Sequence, residues 1–265
     1  MLFPECSFGS AASRRRFWFP PKSSSIGQKS GGAPAGPLDF VRSGELRNVL
    51  YLHGFASSPR GRKVTALTEM LAPQGLRVVA PDLNIPSFER LDFRAMAKIA
   101  LWELKKRMPA AVAGSSLGAL VALEATRAVP VAPLVLIAPA LGFGGRWLKD
   151  LPGDEFLPFF HHGEEKEVPI HRRFFEEMSR MEADRDPPAV PVTIVMGRKD
   201  ESVPFELVRG AWERWRESGR LDPRSRFVEI PEGDHGLTEH VDRIGEEIRR
   251  SCDLPREPAG ASRLG

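Results

Sequence analysis

Short runs of apolar residues recur along most of this chain, and segments with an apolar stripe separate them. The runs have the length and continuous apolar character of strands that are buried on both faces of a sheet. The predicted strands are Asn48–Leu52, Arg77–Pro81, Ala111–Ala113, Leu134–Pro139, Val192–Gly197 and Arg226–Ile230.

The segments between these strands carry apolar residues at the three- and four-residue spacing of amphipathic helices. One of them begins near Pro59 and places Val64, Leu67 and Leu71 on one face. Because strand and helix alternate almost throughout, we predict an α/β fold with a mostly parallel, doubly wound sheet and helices on both faces. A site in such a sheet lies at the carboxyl ends of the strands.

The alternation is interrupted between about Leu141 and Val190. A connection of this length is unusual in a compact domain, so we predict a cap or lid, and we expect it to be helical. Its aromatic residues are expected mainly to pack the cap onto the core, and some of them to line an apolar acyl pocket. They are Phe143, Trp147, Phe156, Phe159, Phe160, Phe174 and Phe175.

The two ends of the chain lack this patterning. Residues 1–44 contain stretches rich in Ser, Gly and Pro without a periodic apolar face, which predicts a disordered extension or a start codon assigned too far upstream. We therefore assign residues 45–252 to a single α/β domain and residues 253–265 to a frayed tail.

Composition limits the classes of partner. The chain has 38 basic and 35 acidic residues, of which five and two lie within residues 1–40, so the remainder has 33 of each. This balance gives no support to a nucleic-acid partner. No apolar run reaches the roughly 20 residues of a membrane span. Cys6 and Cys252 form no disulfide framework, so we expect a reducing, cytoplasmic location.

The most informative motif is Gly-Ser-Ser-Leu-Gly over residues 114–118. It follows an apolar strand and precedes a helix rich in Ala and Leu, which predicts a sharp strand-to-helix turn with Ser116 at its tip. In that position the hydroxyl group is exposed above the sheet, where it serves as a nucleophile. Gly114 and Gly118 leave room for the crowded backbone.

A serine nucleophile needs a base to accept its proton, and in this type of fold a histidine late in the chain serves as that base. His235 follows the last predicted strand at the edge where the site is expected, whereas His240 falls within the next helix. We therefore favour His235. Three earlier histidines, His161, His162 and His171, lie in the cap and are interpreted as solvated residues without a metal site.

The base in turn needs an acid to orient it. Asp200 and Glu201 both follow the strand that ends at Met196, and Asp200 has the better position, directly after the turn. The alternative is that Asp200 only caps the following helix. Asp234, beside the histidine, is interpreted as a turn residue.

Two backbone N–H groups are expected to form an oxyanion hole. One belongs to Leu117, which follows the nucleophile. The other belongs to Phe55, in the loop after the first predicted strand. His53 begins that loop, and we expect it to hold the loop in place and not to act as a base.

Four motifs together resemble the α/β-hydrolase superfamily, and in particular the small bacterial esterases of the YqiA type. They are Tyr-Leu-His-Gly-Phe-Ala-Ser-Ser-Pro over residues 51–59, Gly-Ser-Ser-Leu-Gly over 114–118, Gly-Arg-Lys-Asp over 197–200 and Gly-Asp-His over 233–235. The resemblance covers about residues 47–251. It implies an α/β-hydrolase fold, short-chain ester substrates and no cofactor, with Ser116 as nucleophile, Asp200 as acid and His235 as base. The chain departs from the pattern at Ala119, where a glycine is frequent, and in the length of its cap.

The favoured function is hydrolysis of short- to medium-chain carboxylic esters through an acyl-enzyme, with a small-molecule ester as substrate. An acyl thioesterase is the nearest alternative, because it uses the same triad and oxyanion hole. A non-catalytic binding protein on a hydrolase fold is the alternative from a different class; such proteins have usually lost a triad residue, and here all three residue types are present. Fold and triad leave the physiological substrate open, and the sequence does not determine the oligomeric state.

Overall fold

A parallel sheet forms the centre of the structure. The structure is a computed structural model that describes residues 46–142, 148–149 and 151–253. The strands of the whole described structure, in chain order, are β1 (Arg47–Leu52), β2 (Leu76–Val79), β3 (Ala111–Ser115), β4 (Leu134–Ile137), β5 (Phe156–His161), β6 (Lys166–His171), β7 (Val192–Gly197) and β8 (Arg226–Ile230). The sheet has the order β2-β1-β3-β4-β7-β8, and every neighbouring pair is parallel. The predicted parallel α/β sheet is confirmed.

The helices are α1 (Arg62–Leu71), α2 (Phe93–Arg107), α3 (Leu117–Ala128), α4 (Arg173–Met178), α5 (Phe205–Glu217) and α6 (Val241–Cys252). Helix α1 packs against α6, and α2 packs against α3. Every residue of β3, β4 and β7 is buried, so both faces of the sheet are covered. This explains why the strands are continuous apolar runs and do not alternate. Among the described residues, no helix is long and apolar enough to cross a membrane.

The strand order places a crevice at the end of β1. After β1 the chain adds β2 on one side and then crosses to add β3 on the other. Where the winding reverses in this way, the loops that leave the two central strands diverge and open a crevice at their carboxyl ends. The loop after β1 contains His53 and Phe55, and β3 is followed directly by Ser116. The fold therefore brings the predicted nucleophile and the predicted oxyanion loop to the same edge of the sheet.

The insertion between β4 and β7 differs from the helical cap that we predicted. Within its described residues, strands β5 and β6 form an antiparallel hairpin that a helical cap would lack, and α4 is a short helix. In β6, Val168 and Ile170 are buried while Glu167 and Pro169 are exposed, which is the two-residue period of a half-buried strand. The hairpin turn contains Gly163. This short alternation is the feature that distinguishes the hairpin from a helix.

Several predictions fall on residues outside the described part of the chain. These residues are the N-terminal extension 1–44 with Cys6, the tail apart from Asp253, and the cap aromatics Phe143 and Trp147. Cys252 lies at the end of α6, and its side chain is buried.

Candidate active site

Ser116 occupies a strained turn between β3 and α3. Its backbone has φ 54° and ψ −116°, a combination that a residue with a side chain rarely adopts. The Ser116 N–H donates to the carbonyl of Ile137 at 2.9 Å, and the Ser116 carbonyl accepts from the N–H of Ala119 at 3.1 Å. The surrounding backbone therefore holds the strained turn from both sides.

Two glycines make this turn sterically possible. A Cβ atom at Gly118 would collide with the carbonyl oxygen of Leu52, and one at Gly114 would collide with that of Gly118. Both obstacles are backbone atoms, so they cannot move aside as the end of a side chain can. The start of α3 can lie against the ends of β1 and β3 only because positions 114 and 118 lack side chains.

His235 lies in the loop after β8 and contacts both of its predicted partners. Its Nε2 is 3.0 Å from Ser116 Oγ, and its Nδ1 is 2.8 Å from Asp200 Oδ2. The His235 side chain is 29% exposed and the Asp200 side chain is fully buried. With the proton on Nδ1, the ring donates to Asp200, and Nε2 is available as an acceptor for the serine proton.

The carboxylate of Asp200 is fixed by its own loop. While Oδ2 faces His235, Oδ1 accepts hydrogen bonds from the N–H groups of Ser202 at 2.9 Å and Val203 at 2.8 Å. Glu201 is exposed. The structure thus brings Asp200, and not Glu201, against the histidine. The alternative role, a cap on the following helix, is not what these bonds provide: Ser202 and Val203 precede α5, whose N-cap is Pro204 without a side-chain hydrogen bond.

The Asp200 loop and the His235 loop are held together by their backbones. The N–H of Lys199 donates to the carbonyl of Gly233 at 2.9 Å. A Cβ atom at Gly197 would overlap that same carbonyl group. Glycine at position 197 therefore permits the approach that places the two side chains at hydrogen-bonding distance.

The neighbouring acid and the second histidine have other positions. Asp234 accepts a hydrogen bond from the N–H of Leu237 at 2.7 Å, so its role as a turn residue is confirmed. His240 ends the short 3-10 turn that begins at Thr238 and precedes α6. It was expected inside that helix, which instead starts one residue later.

The loop after β1 passes beside Ser116. A Cβ atom built on Gly54 would lie 3.3 Å from Ser116 Cβ, and Phe55 is the next residue. Leu117 is the first residue of α3, and N–H groups in the first turn of a helix have no partner within that helix. These positions agree with the predicted oxyanion hole, which remains a prediction.

His53 holds this loop, as predicted. Its Nε2 accepts a hydrogen bond from the N–H of Leu83 at 3.0 Å, and its Nδ1 donates to the carbonyl of Gly54 at 3.0 Å. Both ring nitrogens are therefore engaged, and the ring is buried. His53 fixes the position of the loop that contains Phe55.

A cavity of about 320 Å³ contains the Ser116 and His235 side chains in its wall. Most of the remaining wall is apolar, and the cap contributes Phe159, Phe160 and His162 to it. A small, mainly apolar cavity with a few polar groups is typical of a site for a small molecule.

The cap aromatics have both of the predicted roles. Phe174 and Phe175 are buried and contact Phe55, with ring centroids 6.1 Å and 6.0 Å away. Phe159, which lines the cavity, contacts Phe55 at 5.3 Å. Phe55 therefore joins the loop after β1 to the cap.

The interpretation of all three cap histidines as solvated residues is wrong for His161. Its side chain is buried, its ring contacts Phe88 at 4.4 Å between centroids, and its Nδ1 accepts a hydrogen bond from the N–H of Glu164 at 3.0 Å. Burial lowers the pKa of His161. His161 ends β5 on the inward-facing side of the hairpin, a position that is apparent only once the hairpin is recognised.

Lys63, near the start of α1, was not among the predicted site residues. Its Nζ donates hydrogen bonds to Ser115 Oγ and to the carbonyl of Gly236, both at 2.8 Å. Burial lowers the pKa of Lys63 to about 8, and the carboxylates of Asp234 and Asp200 partly oppose this shift. The sequence contains one signal: Lys63 lies one turn before Leu67, in the row of α1 that faces the core.

A second depression, of about 530 Å³, lies on the surface away from these side chains. Glu182, Asp184, Arg185 and Arg214 line it, and they pair as Arg185 with Glu182 and Arg214 with Asp184. The charges that line this depression neutralise each other in pairs. We therefore take the cavity at Ser116, and not this depression, as the candidate active site.

Fold and site define the class of the protein: it has the α/β-hydrolase fold. A model of the uncharacterised protein family UPF0227 matches residues 48–242. This match spans most of the chain, and the protein belongs to that family. A comparison with functionally curated proteins found no significant match.

Solved structures show the same fold. Est1E from Butyrivibrio proteoclasticus with bound ferulic acid is 19% identical, with a TM-score of 0.64 over 79% of this chain and 89% of that one. Mouse α/β hydrolase domain-containing protein 10 is 22% identical, with a TM-score of 0.58 over 77% and 87%. The esterase domain of a Rhodothermus marinus protein is 19% identical, with a TM-score of 0.57 over 80% and 89%.

The lowered pKa of Lys63 predicts a specific dependence of stability on pH. Above pH 8 the folded protein gives up the Lys63 proton, whereas the unfolded chain keeps it up to about 10.5. Stability therefore rises with pH in this window, because the unfolded state binds more protons. We expect the free energy of unfolding of the wild type, minus that of Lys63→Met, to increase by up to about 3 kcal/mol across the window. Urea denaturation of both proteins over a pH series measures this difference. If the difference between the two free energies of unfolding did not change with pH, the burial of the ammonium group would be contradicted.

Proposed function

We propose that this protein is a serine hydrolase that cleaves short- to medium-chain carboxylic esters through an acyl-enzyme. The observation that carries the proposal is the chain of contacts from Ser116 Oγ through His235 to Asp200, at 3.0 Å and 2.8 Å. The same serine has a strained backbone and lines an apolar cavity. Strain at a nucleophile-bearing turn argues for a reactive site, because the fold must compensate for its cost.

In the first half-reaction, Ser116 Oγ attacks the carbonyl carbon of the ester while His235 Nε2 takes its proton. The resulting oxyanion is stabilised by the N–H groups of Leu117 and Phe55. The bond to the alcohol oxygen then breaks, His235 donates the proton to that oxygen, and the acyl group stays on Ser116. Asp200 accepts the Nδ1–H throughout, which keeps the ring in the required tautomer and stabilises the imidazolium.

In the second half-reaction, water attacks the acyl carbon while His235 accepts a proton from it. The bond between the acyl carbon and Ser116 Oγ breaks, and His235 returns the proton to Oγ as the carboxylic acid leaves. The cavity wall excludes most bulk water from the apolar acyl group. No group beyond the side chains and backbone named here is needed for either step.

The cavity also supports the proposed substrate size. At about 320 Å³ it lies at the small end of the range for ligand pockets. Phe159 and Phe160 narrow it from the cap side, and each buried methylene of an acyl chain contributes about 0.8 kcal/mol until the pocket is full. We therefore expect the rate to rise with acyl length and then to fall.

The first test compares two adjacent serines in hydrolysis of p-nitrophenyl butyrate. Ser116→Ala should reduce kcat by at least about 10³-fold, because the triad acts as a unit. Its melting temperature should remain close to that of the wild type. Ser115→Ala, the matched control, should keep far more activity than Ser116→Ala. An active Ser116→Ala variant would refute the nucleophile assignment and would leave the non-catalytic binding protein as the better reading.

The second test is a panel of p-nitrophenyl esters that differ in acyl length. We expect the best kcat/KM between about two and eight carbons, given the size of the cavity. Phe160→Ala should shift the optimum to longer chains, whereas Phe156→Ala, on the same strand but outside the cavity wall, should leave it unchanged. An optimum at long-chain lipids would contradict the proposed pocket. Turnover of acyl-CoA with negligible ester cleavage would identify a thioesterase instead.

A further inference from the structure

Lys63 links the two loops that carry the nucleophile and the base. Its two hydrogen-bond acceptors are Ser115 Oγ and the Gly236 carbonyl, and each is the direct neighbour in sequence of a triad residue. Ser115 precedes Ser116, and Gly236 follows His235. One ammonium group on a third element, α1, thus bridges residues that are more than a hundred positions apart in the chain.

Several groups around this bridge are buried. Ser115 is buried, and its hydroxyl faces the buried side chain of Tyr51 on β1. The other titratable groups that face Lys63 are the carboxylates of Asp200 and Asp234, and Asp200 is the residue that orients His235. Lys63 is therefore hydrogen bonded to the nucleophile turn and to the base loop, and the charge of the acid acts on it.

Stability alone does not account for a lysine at this position. Its neighbours in the same row of α1, Leu67 and Leu71, are fully buried, and a methionine would continue that row without bringing a charge out of water. The depressed pKa of Lys63 reports the cost of this desolvation. A partly buried charged group that costs stability and lies beside a site is a candidate for a functional role.

Resting on the proposed hydrolase function, we propose that Lys63 is a positioning residue that holds Ser116 Oγ and His235 Nε2 at hydrogen-bonding distance. Lys63 acts through residues that neighbour the reacting ones in sequence: it donates one hydrogen bond to Ser115 Oγ and one to the Gly236 carbonyl. Among the residues that the structure describes, the other hydrogen bond between the nucleophile turn and the base loop is the one between the reacting side chains themselves. Without the Lys63 bridge, the proton transfer between them loses its fixed geometry.

The test uses Lys63→Met, which keeps the apolar stem and removes both donors, and Lys63→Gln, which keeps N–H donors without the charge. The control is Arg62→Met, because Arg62 is an exposed cation next to Lys63 on α1.

We expect Lys63→Met to lower kcat about 10- to 100-fold, because a small misplacement of reacting groups has effects of this size. KM should change by less than about twofold, since Lys63 acts on the reacting groups and not on substrate binding. Lys63→Gln should recover part of the loss, and Arg62→Met should match the wild type.

A double-mutant cycle with Ser115→Ala tests the route of the effect. If Lys63 acts partly through Ser115, the double variant should lose less activity than the product of the two single losses. Purely multiplicative losses would overturn the Ser115 arm of the bridge.

Thermal unfolding separates positioning from a merely structural role. At neutral pH, Lys63→Met should melt no lower than the wild type, because it removes a buried charge. The proposal would be overturned if the melting temperature of Lys63→Met fell together with its kcat and if Lys63→Gln recovered neither.

The rate of reaction with a fluorophosphonate distinguishes failure of this proposal from failure of the proposed function. It reports the reactivity of Ser116 without requiring ester turnover. We expect Lys63→Met to react at least about tenfold more slowly than the wild type, in line with the loss in kcat. A reactive wild type with an equally reactive Lys63→Met variant would overturn the role of Lys63 alone. A wild type that neither reacts nor hydrolyses esters would overturn both proposals.

Discussion

The start of α3 lies against the end of β1 so closely that position 118 has no room for a side chain. This approach forces the backbone of Ser116 into a positive φ angle and directs its hydroxyl group into the cavity. The loop after β1 passes the same point through Gly54. A single steric constraint therefore sets the position of the nucleophile, the start of α3 and the path of the predicted oxyanion loop.

The same principle recurs at the other half of the site. Gly197 lets the loop after β7 approach the backbone of Gly233, and this brings Asp200 against His235. The contacts from Ser116 through His235 to Asp200 thus rest on two close backbone approaches, each permitted by glycine, at the carboxyl ends of parallel strands. Lys63 joins these two halves through a hydrogen bond to each. Side chains that are dispersed in the sequence become one network because the sheet places its strand ends side by side.

Much of this arrangement could be predicted from the sequence because its signals are local. Gly-x-Ser-x-Gly between an apolar strand and a helix identified the turn at Ser116, and the chain order of acid and base identified Asp200 and His235. The cap hairpin was missed because a few alternating residues, such as Val168 and Ile170, give a weak signal within an aromatic-rich insertion. The burial of His161 depends on that hairpin. The contacts of Lys63 depend on the end of β3 and on the loop after β8, and no local pattern around position 63 encodes them.

The central claim is that Ser116 becomes acylated during turnover. The most direct measurement is to mix the protein with p-nitrophenyl acetate, quench the reaction in acid within the first turnovers, and map the acetyl group by peptide mass spectrometry. The account predicts an acetyl group on Ser116 in the wild type and none at this position in Ser116→Ala. In a variant such as Asp200→Asn, the level of this acetyl group is higher when the substitution slows deacylation more than acylation. Turnover of the ester with the acetyl group on another residue would contradict the account.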